Sequence, residues 1–96
     1  MLIARVLGTA VSTVKDDRLD GMKLLIVAPA DTSGKVVGDP AVAADLVGAG
    51  EGELVLVAQG STARLAGGTS GAPVDAVIIG ILNNLSSDGR ATYQKE

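Results

Sequence analysis

The chain has 96 residues and contains neither cysteine nor histidine, so it has no disulfide, no thiolate zinc site and no histidine general base. Its formal net charge is −3, and Tyr93 is its one aromatic residue, which argues against a basic, aromatic surface for nucleic acid. A chain this short buries a modest core, and oligomerisation is the remaining common way to stabilise it. With no apolar run of ~20 residues and no basic leader, we expect a soluble cytoplasmic protein that does not enter a membrane.

The first half of the chain alternates apolar runs with turn signals. Leu2–Val14 predicts a bent first strand, with Gly8 as the expected bend. A charged loop, Lys15–Gly21, ends in an Asp-Gly pair that favours a hairpin, and Leu24–Val27 predicts a second strand. After a turn cluster at 29–34, Val36-Val37 begins a short third segment.

The second half contains the strongest strand signal. Ala41–Val47 is compatible with either strand or helix, whereas Leu54–Val57 predicts a strand. Ser61 is a candidate cap for a single helical turn over 62–66. Ala76–Leu82 is the most strongly strand-like run, and 86–96 is expected to be a polar tail with a short strand near 91–93. We therefore predict one mainly all-β domain over residues 1–96, folded as a small barrel.

No set of residues assembles a conventional catalytic group. Gly48-x-Gly50-x-Gly52 precedes a strand rather than opening a helix, so we interpret it as a turn with close backbone packing and not as a nucleotide loop. Ser61 has no histidine to activate it. Asp45 and Asp75 flank apolar runs, but neither has an evident catalytic partner. We expect no enzyme activity, no cofactor and no metal.

Two other functions remain open from the residues alone. Met22-Lys23-Leu24 after Gly21 resembles the modified segment of a swinging-arm carrier domain, in which Lys23 would carry biotin or lipoate. Such a lysine lies near the middle of its domain, whereas here only 22 residues precede Lys23 and 73 follow it. A small OB-like binding module is the other alternative, for which the chain lacks an aromatic platform.

A set of segments follows a fixed order and spacing over some eighty residues: Ile3–Val6 with Gly8, Thr13 with Lys15, Leu19–Val27, Val42–Val57, Gly60–Arg64 and Pro73–Ile81. In this order and spacing, the chain resembles the EutN/CcmL family of bacterial microcompartment vertex proteins. The resemblance implies a five-stranded, OB-like barrel with one short helix. It further implies a cyclic homopentamer at the five-fold vertices of a polyhedral shell in the bacterial cytoplasm, beside hexameric facet proteins.

The resemblance also suggests which residues lie in the assembly. It implies that Gly60, Ser61 and Thr62 line the central pore, with Thr62 where the family more often has another small residue. Small side chains permit close approach of two subunits, and Arg64 is expected to bond to the carboxylate of either Asp45 or Asp75. The residues expected at the subunit interface are therefore Asp45, Gly48, Ala49, Gly50, Arg64 and Asp75. Asn83-Asn84 departs from the acidic residue expected after the last strand. The kind of compartment is not determined by these residues.

Overall fold

The computed structural model describes residues 1–11, 17–19, 21–60 and 75–95. The regular secondary structure of the described part is all strand except for a single turn of 3₁₀ helix at Asp17–Leu19. The strands are β1 (Leu2–Ala10), β2 (Lys23–Pro29), β3 (Ala41–Asp45), β4 (Leu54–Gln59), β5 (Ala76–Ile81), β6 (Asn84–Ser87) and β7 (Arg90–Gln94). No helix within these residues is long and apolar enough to cross a membrane.

Five strands close into a barrel in the order β1-β2-β3-β5-β4. Neighbouring strands run antiparallel except for β3 and β5, which are parallel and pair only at Ala44 with Val77 and at Asp45 with Ile78. Closure satisfies strand edges that an open sheet of this size would expose. The predicted all-β, five-stranded barrel is confirmed, while the predicted helical turn at 62–66 lies outside the described residues.

The long first strand serves two neighbours and bends between them. Its first residues, Leu2–Arg5, pair with β4, and Ala4–Ala10 pair with β2. The register with β2 shifts between Val6 and Gly8, which marks a β-bulge at the bend predicted from Gly8. The bulge lets one strand take part in both halves of the barrel wall.

The barrel interior is filled by aliphatic side chains. The buried cluster consists of Ala4, Val6, Leu25, Val27, Ala43, Ala49, Val55, Val57 and Ile78. Successive strand residues point to opposite faces, so runs such as Leu54–Val57 supply both this core and the outer wall. A core without aromatic rings depends on close packing of branched side chains.

Pairing with β2 decides whether the segment at residues 41–45, which is compatible with either strand or helix from its sequence, forms a strand. Ala41–Asp45 is a strand because five successive residues pair with β2, from Ala41 opposite Val27 to Asp45 opposite Lys23. Val36, by contrast, forms only an isolated bridge to Ala30.

The C-terminal segment is more ordered than a polar tail. β6 and β7 form a two-stranded hairpin around Asp88-Gly89, both of which have positive φ, at 54° and 76°. An Asp-Gly pair in that conformation is a favoured two-residue hairpin turn. The short strand expected near 91–93 is confirmed within β7, and its partner β6 is the part that the sequence analysis missed.

Candidate functional site

Asp45 organises the turn that follows β3. Its side chain is 1% exposed. One carboxylate oxygen accepts a hydrogen bond from the Val47 amide at 3.1 Å, and the other accepts from the Ala49 amide at 2.9 Å. A carboxylate that bonds amides two and four residues ahead fixes the backbone locally. The immediate role of Asp45 is therefore to shape its own subunit.

Lys23 balances the charge of Asp45. Its ammonium lies 3.8 Å from Asp45 Oδ2 and donates a hydrogen bond to the Ala49 carbonyl at 3.0 Å. The two residues are register partners across β2 and β3, so the pairing follows directly from the sheet. Arg64, the partner predicted for Asp45 or Asp75, lies outside the described residues, and that pairing stays a prediction.

The glycine-rich segment forms a turn, as predicted. Gly48 and Gly52 have φ of 77° and 85°, a conformation that L side chains rarely adopt. The Gly50 amide donates to Glu53 Oε1 at 2.6 Å, which closes the turn. Ala49 is fully buried in its own chain, so it affects any subunit contact only by fixing the path of Gly48 and Gly50.

Glu53 connects this turn to the C-terminal hairpin. Lys95 Nζ lies 2.5 Å from Glu53 Oε2. The hydrogen bond from Lys95, and then that from the Gly50 amide, lowers the pKa of the Glu53 carboxyl below its ordinary value. The ion pair holds the residue after β7 against the barrel, with support from the Lys95 amide bonded to the Asn83 carbonyl at 2.7 Å.

Arg5 is a tertiary anchor that the sequence analysis did not identify. Its Nε and Nη2 donate to the Gly34 carbonyl at 2.9 and 2.6 Å, and its Nη1 donates to the Gly52 carbonyl at 2.7 Å. The guanidinium also lies 5.8 Å from the centroid of the Tyr93 ring. The available signal was an arginine placed between apolar residues of a strand, together with the single aromatic residue of the chain.

Gly60 and Asp75 meet where the described chain is interrupted. The Gly60 amide donates to the Asp75 carbonyl at 2.8 Å, and Gly60 has a φ of 62°. Of the three residues predicted to line a pore, Gly60 is described, whereas Ser61 and Thr62 lie outside the described residues. The predicted contact residues that the structure describes thus lie in two places: Asp45, Gly48, Ala49 and Gly50 at the turn after β3, and Gly60 and Asp75 at this junction.

The described residues offer no assembled chemistry. They contain no group of three or more acidic, cysteine or histidine side chains able to hold a metal ion. A cavity of about 220 Å³ is lined mainly by apolar side chains, with Asp39 and Gln59 as its polar lining. Asp39 is the one titratable side chain in this lining, so the lining holds no second group for an acid–base pair.

Comparison with known proteins gives similarity over the whole chain. The family model described as "Ethanolamine utilisation protein EutN/carboxysome" matches residues 1–83. The carboxysome shell vertex protein CcmL of Synechocystis sp. is 45% identical over 99% of this chain and 95% of its own length. The bacterial microcompartment shell vertex protein EutN of Escherichia coli is 42% identical over 99% of this chain and 100% of its own length. The pentameric microcompartment shell protein GrpN of Rhodospirillum rubrum, a solved structure, is 40% identical, with a TM-score of 0.82 over 91% of this chain and 99% of its own.

Proposed function

This chain belongs to the EutN/CcmL family, and we propose on that premise that it forms homopentamers that cap the five-fold vertices of a bacterial microcompartment shell. The observation that carries the proposal is similarity along the full chain to shell vertex proteins, one of them solved as a pentamer. The protein is a structural component of such a shell. Its place is therefore the microcompartment shell, inside the bacterial cytoplasm.

Ring geometry explains why one small domain suffices for this task. A head-to-tail contact between identical subunits generates a closed ring when the rotation between neighbours closes, and each subunit then presents two different surfaces. Flat facets of six-fold units close into a polyhedron only where five-fold units introduce curvature. We accordingly propose hexameric facet shell proteins as the partners of the pentamer.

The described contacts support a shape-keeping role for the predicted interface residues. Asp45 and the glycine turn are held by bonds within one subunit, which presents Gly48 and Gly50 on a fixed backbone. Arg64 and Asp75 remain proposed contacts between subunits. Gly60, Ser61 and Thr62 remain the proposed lining of the pore.

Two features count against the alternative functions. Lys23 lies on β2, in register with Asp45, and its ammonium is engaged by the Ala49 carbonyl, whereas a carrier lysine must be free at the tip of a turn. Tyr93, the single aromatic residue, faces the Arg5 guanidinium, and one engaged ring makes no stacking platform. The proposed structural rather than catalytic role is supported by the relatives, which are shell vertex proteins.

Native mass spectrometry of the purified protein tests the proposal. Five copies of the 9.5 kDa chain give a complex of about 48 kDa. A dominant pentamer that joins hexameric shell proteins into closed particles, where hexamers alone form open sheets or tubes, is the expected result. A stable monomer or dimer at micromolar concentration contradicts the proposal, and so does a pentamer that never enters closed particles.

A further inference from the structure

The outside of β3 carries an apolar stripe. Val42, Ala44 and Leu46 alternate along the strand, and the Leu46 amide continues the ladder by donating to the Ile78 carbonyl at 3.3 Å. Residues spaced by two lie on one face of a strand. Ala44 is buried, whereas Val42 is 51% exposed and Leu46 is 38% exposed. The stripe therefore ends in open apolar side chains on both sides of a covered centre.

Neighbouring strands extend this stripe into a surface. Ile26 and Leu24 of β2 pair with Val42 and Ala44, so they share the same face, and both are half-buried. On the other side, Ile79 of β5 packs against the buried pair of Ala44 and Val77. We call this surface the outer β3 face, and it comprises Leu24, Ile26, Val42, Ala44, Leu46 and Ile79.

The fold of a single chain leaves this face only partly used. The barrel core is filled from the opposite side of the same strands, by residues such as Leu25, Ala43 and Ile78. Leu19 and Met22 pack over the end of the face near Ala44 and Val77. The side chains of Val42 and Leu46 remain exposed to solvent. Exposed apolar side chains on one surface are typical of interaction sites.

We propose that the outer β3 face is where the neighbouring subunit of the ring packs. This inference rests on the proposed pentamer, and it identifies one of the two surfaces that a head-to-tail ring requires. Three strands spaced by ~4.8 Å, over a stretch of four to five residues, give a face of roughly 190–240 Å². That area is about a quarter of the ~800 Å² which one partner contributes to a standard interface, and so it suits the apolar centre of a contact.

A second copy of this chain is the occupant that the observations favour. The face carries no charged residue, and interface centres are depleted in charge. It is also directly continuous with the turn at Gly48 and Gly50, because Leu46 follows Asp45 at the end of β3. A ring member buries this kind of surface permanently, which removes its exposure to water.

The test places a charge at Val42, on the more open end of the face, and compares it with the same change elsewhere. Val42→Lys points outward from a half-exposed position, where the lysine stem lies along the barrel wall and the monomer fold is retained. Val11→Lys is the matched control, because Val11 is 90% exposed and lies outside the face. Circular dichroism verifies that both variants keep the β-barrel. Val42→Thr, of nearly the same shape, provides a milder step in the same direction.

We expect Val42→Lys to raise the protein concentration needed for half-assembly by roughly tenfold or more, with Val42→Thr between it and the wild type and Val11→Lys unchanged. If the wild type is pentameric and Val42→Lys stays equally pentameric, the inference is wrong while the proposed function stands. If Val11→Lys dissociates the ring to the same extent, added charge rather than the face is responsible, and the inference is again wrong. A wild type that forms no pentamer overturns both.

A chemical measurement gives an independent readout. The chain has no cysteine, so a single introduced thiol reports only its own site. In the assembled wild-type background, the thiol of Val42→Cys is expected to react with an alkylating reagent at least about tenfold more slowly than that of Val11→Cys. Equal rates in verified pentamers would show that position 42 faces solvent in the ring and would overturn the inference. A slow rate that appears only after facet proteins are added would assign the face to that contact and overturn it equally.

Discussion

Replacing Arg5 with alanine should cost this domain a large share of its stability. The guanidinium donates to two backbone carbonyls from distant parts of the chain, those of Gly34 and Gly52, and packs against the ring of Tyr93. Hydrogen bonds from a charged donor contribute about 1.5–3 kcal/mol when buried, and less where water competes, as it does at Gly52. Adding ~0.5 kcal/mol for the partly exposed contact with the ring, we expect Arg5→Ala to lower the free energy of unfolding by about 2 kcal/mol.

A loss of that size is readily measured. For a domain of this length, about 2 kcal/mol corresponds to a fall in Tm of roughly 8–16 °C. Chemical denaturation is compared at one protein concentration and in one confirmed oligomeric state, because assembly adds to apparent stability. Arg5→Lys is the matched control: it retains the charge, but its point-like ammonium cannot bond both carbonyls in the fork geometry, so about half of the loss should remain.

The anchor also predicts a coupling that a merely local effect would not produce. In a double-mutant cycle with Tyr93→Leu, Arg5→Ala should show an interaction energy of about 0.5 kcal/mol, since the two side chains meet across the barrel and the C-terminal hairpin. A change of less than ~0.5 kcal/mol for Arg5→Ala alone, typical of a surface substitution, would show that these hydrogen bonds do not anchor the segments that they join.

Three further predictions follow from other described contacts. The pKa of Glu53 is lowered in the folded state, so Glu53 stabilises the fold fully above its ordinary pKa of 4.5, and this stabilisation is lost as pH falls through the folded pKa. Lys95→Met should raise the pKa of Glu53 in an NMR titration and make the free energy of unfolding depend less on pH in acid. In denaturant titrations, Gly34→Ala should lower the free energy of unfolding by about 1 kcal/mol or more beyond the loss for Gly21→Ala. Both glycines have positive φ, but a Cβ at Gly34 would lie 2.5 Å from the nearest side-chain atom, whereas a Cβ at Gly21 would meet nothing within 4 Å. Asp45→Ala leaves two backbone amides without their acceptor and should cost about 2 kcal/mol in the same assay, whereas Asp45→Asn keeps one acceptor oxygen and should cost less; equal losses would argue against the turn-forming role.

The sequence identified the parts of the candidate site that depend on neighbouring residues, but not the contacts between distant ones. The glycine turn was identified in the sequence because clustered glycines are a local turn signal. Asp45 was singled out because it borders an apolar run, whereas its bonds to the turn were not predicted. The bond from Lys23 was not predicted either, since it spans 26 residues and depends on the pairing of two strands. The role of Arg5 was missed for the same reason, as its partners lie 29 and 47 residues away.

The amino-acid sequence alone determined the features that depend on short stretches of chain. Runs of branched aliphatic residues between turn signals predicted β2, β4 and β5, because those side chains favour a pleated, half-buried surface. The order and spacing of such segments also indicated the EutN/CcmL family, and the lack of cysteine and histidine removed whole classes of chemistry.

Only the tertiary structure decided the rest. Ala41–Asp45 became a strand through pairing with β2, although its alanines permit a helix, since ladder hydrogen bonds and burial outweigh a weak local preference. The polar C-terminal segment gained order as a hairpin because its Tyr93 and Lys95 meet Arg5 and Glu53 on the barrel. Closure of the barrel likewise placed Val42 and Leu46 on an open outer face, an outcome that depends on which strands are neighbours and not on any one strand's composition.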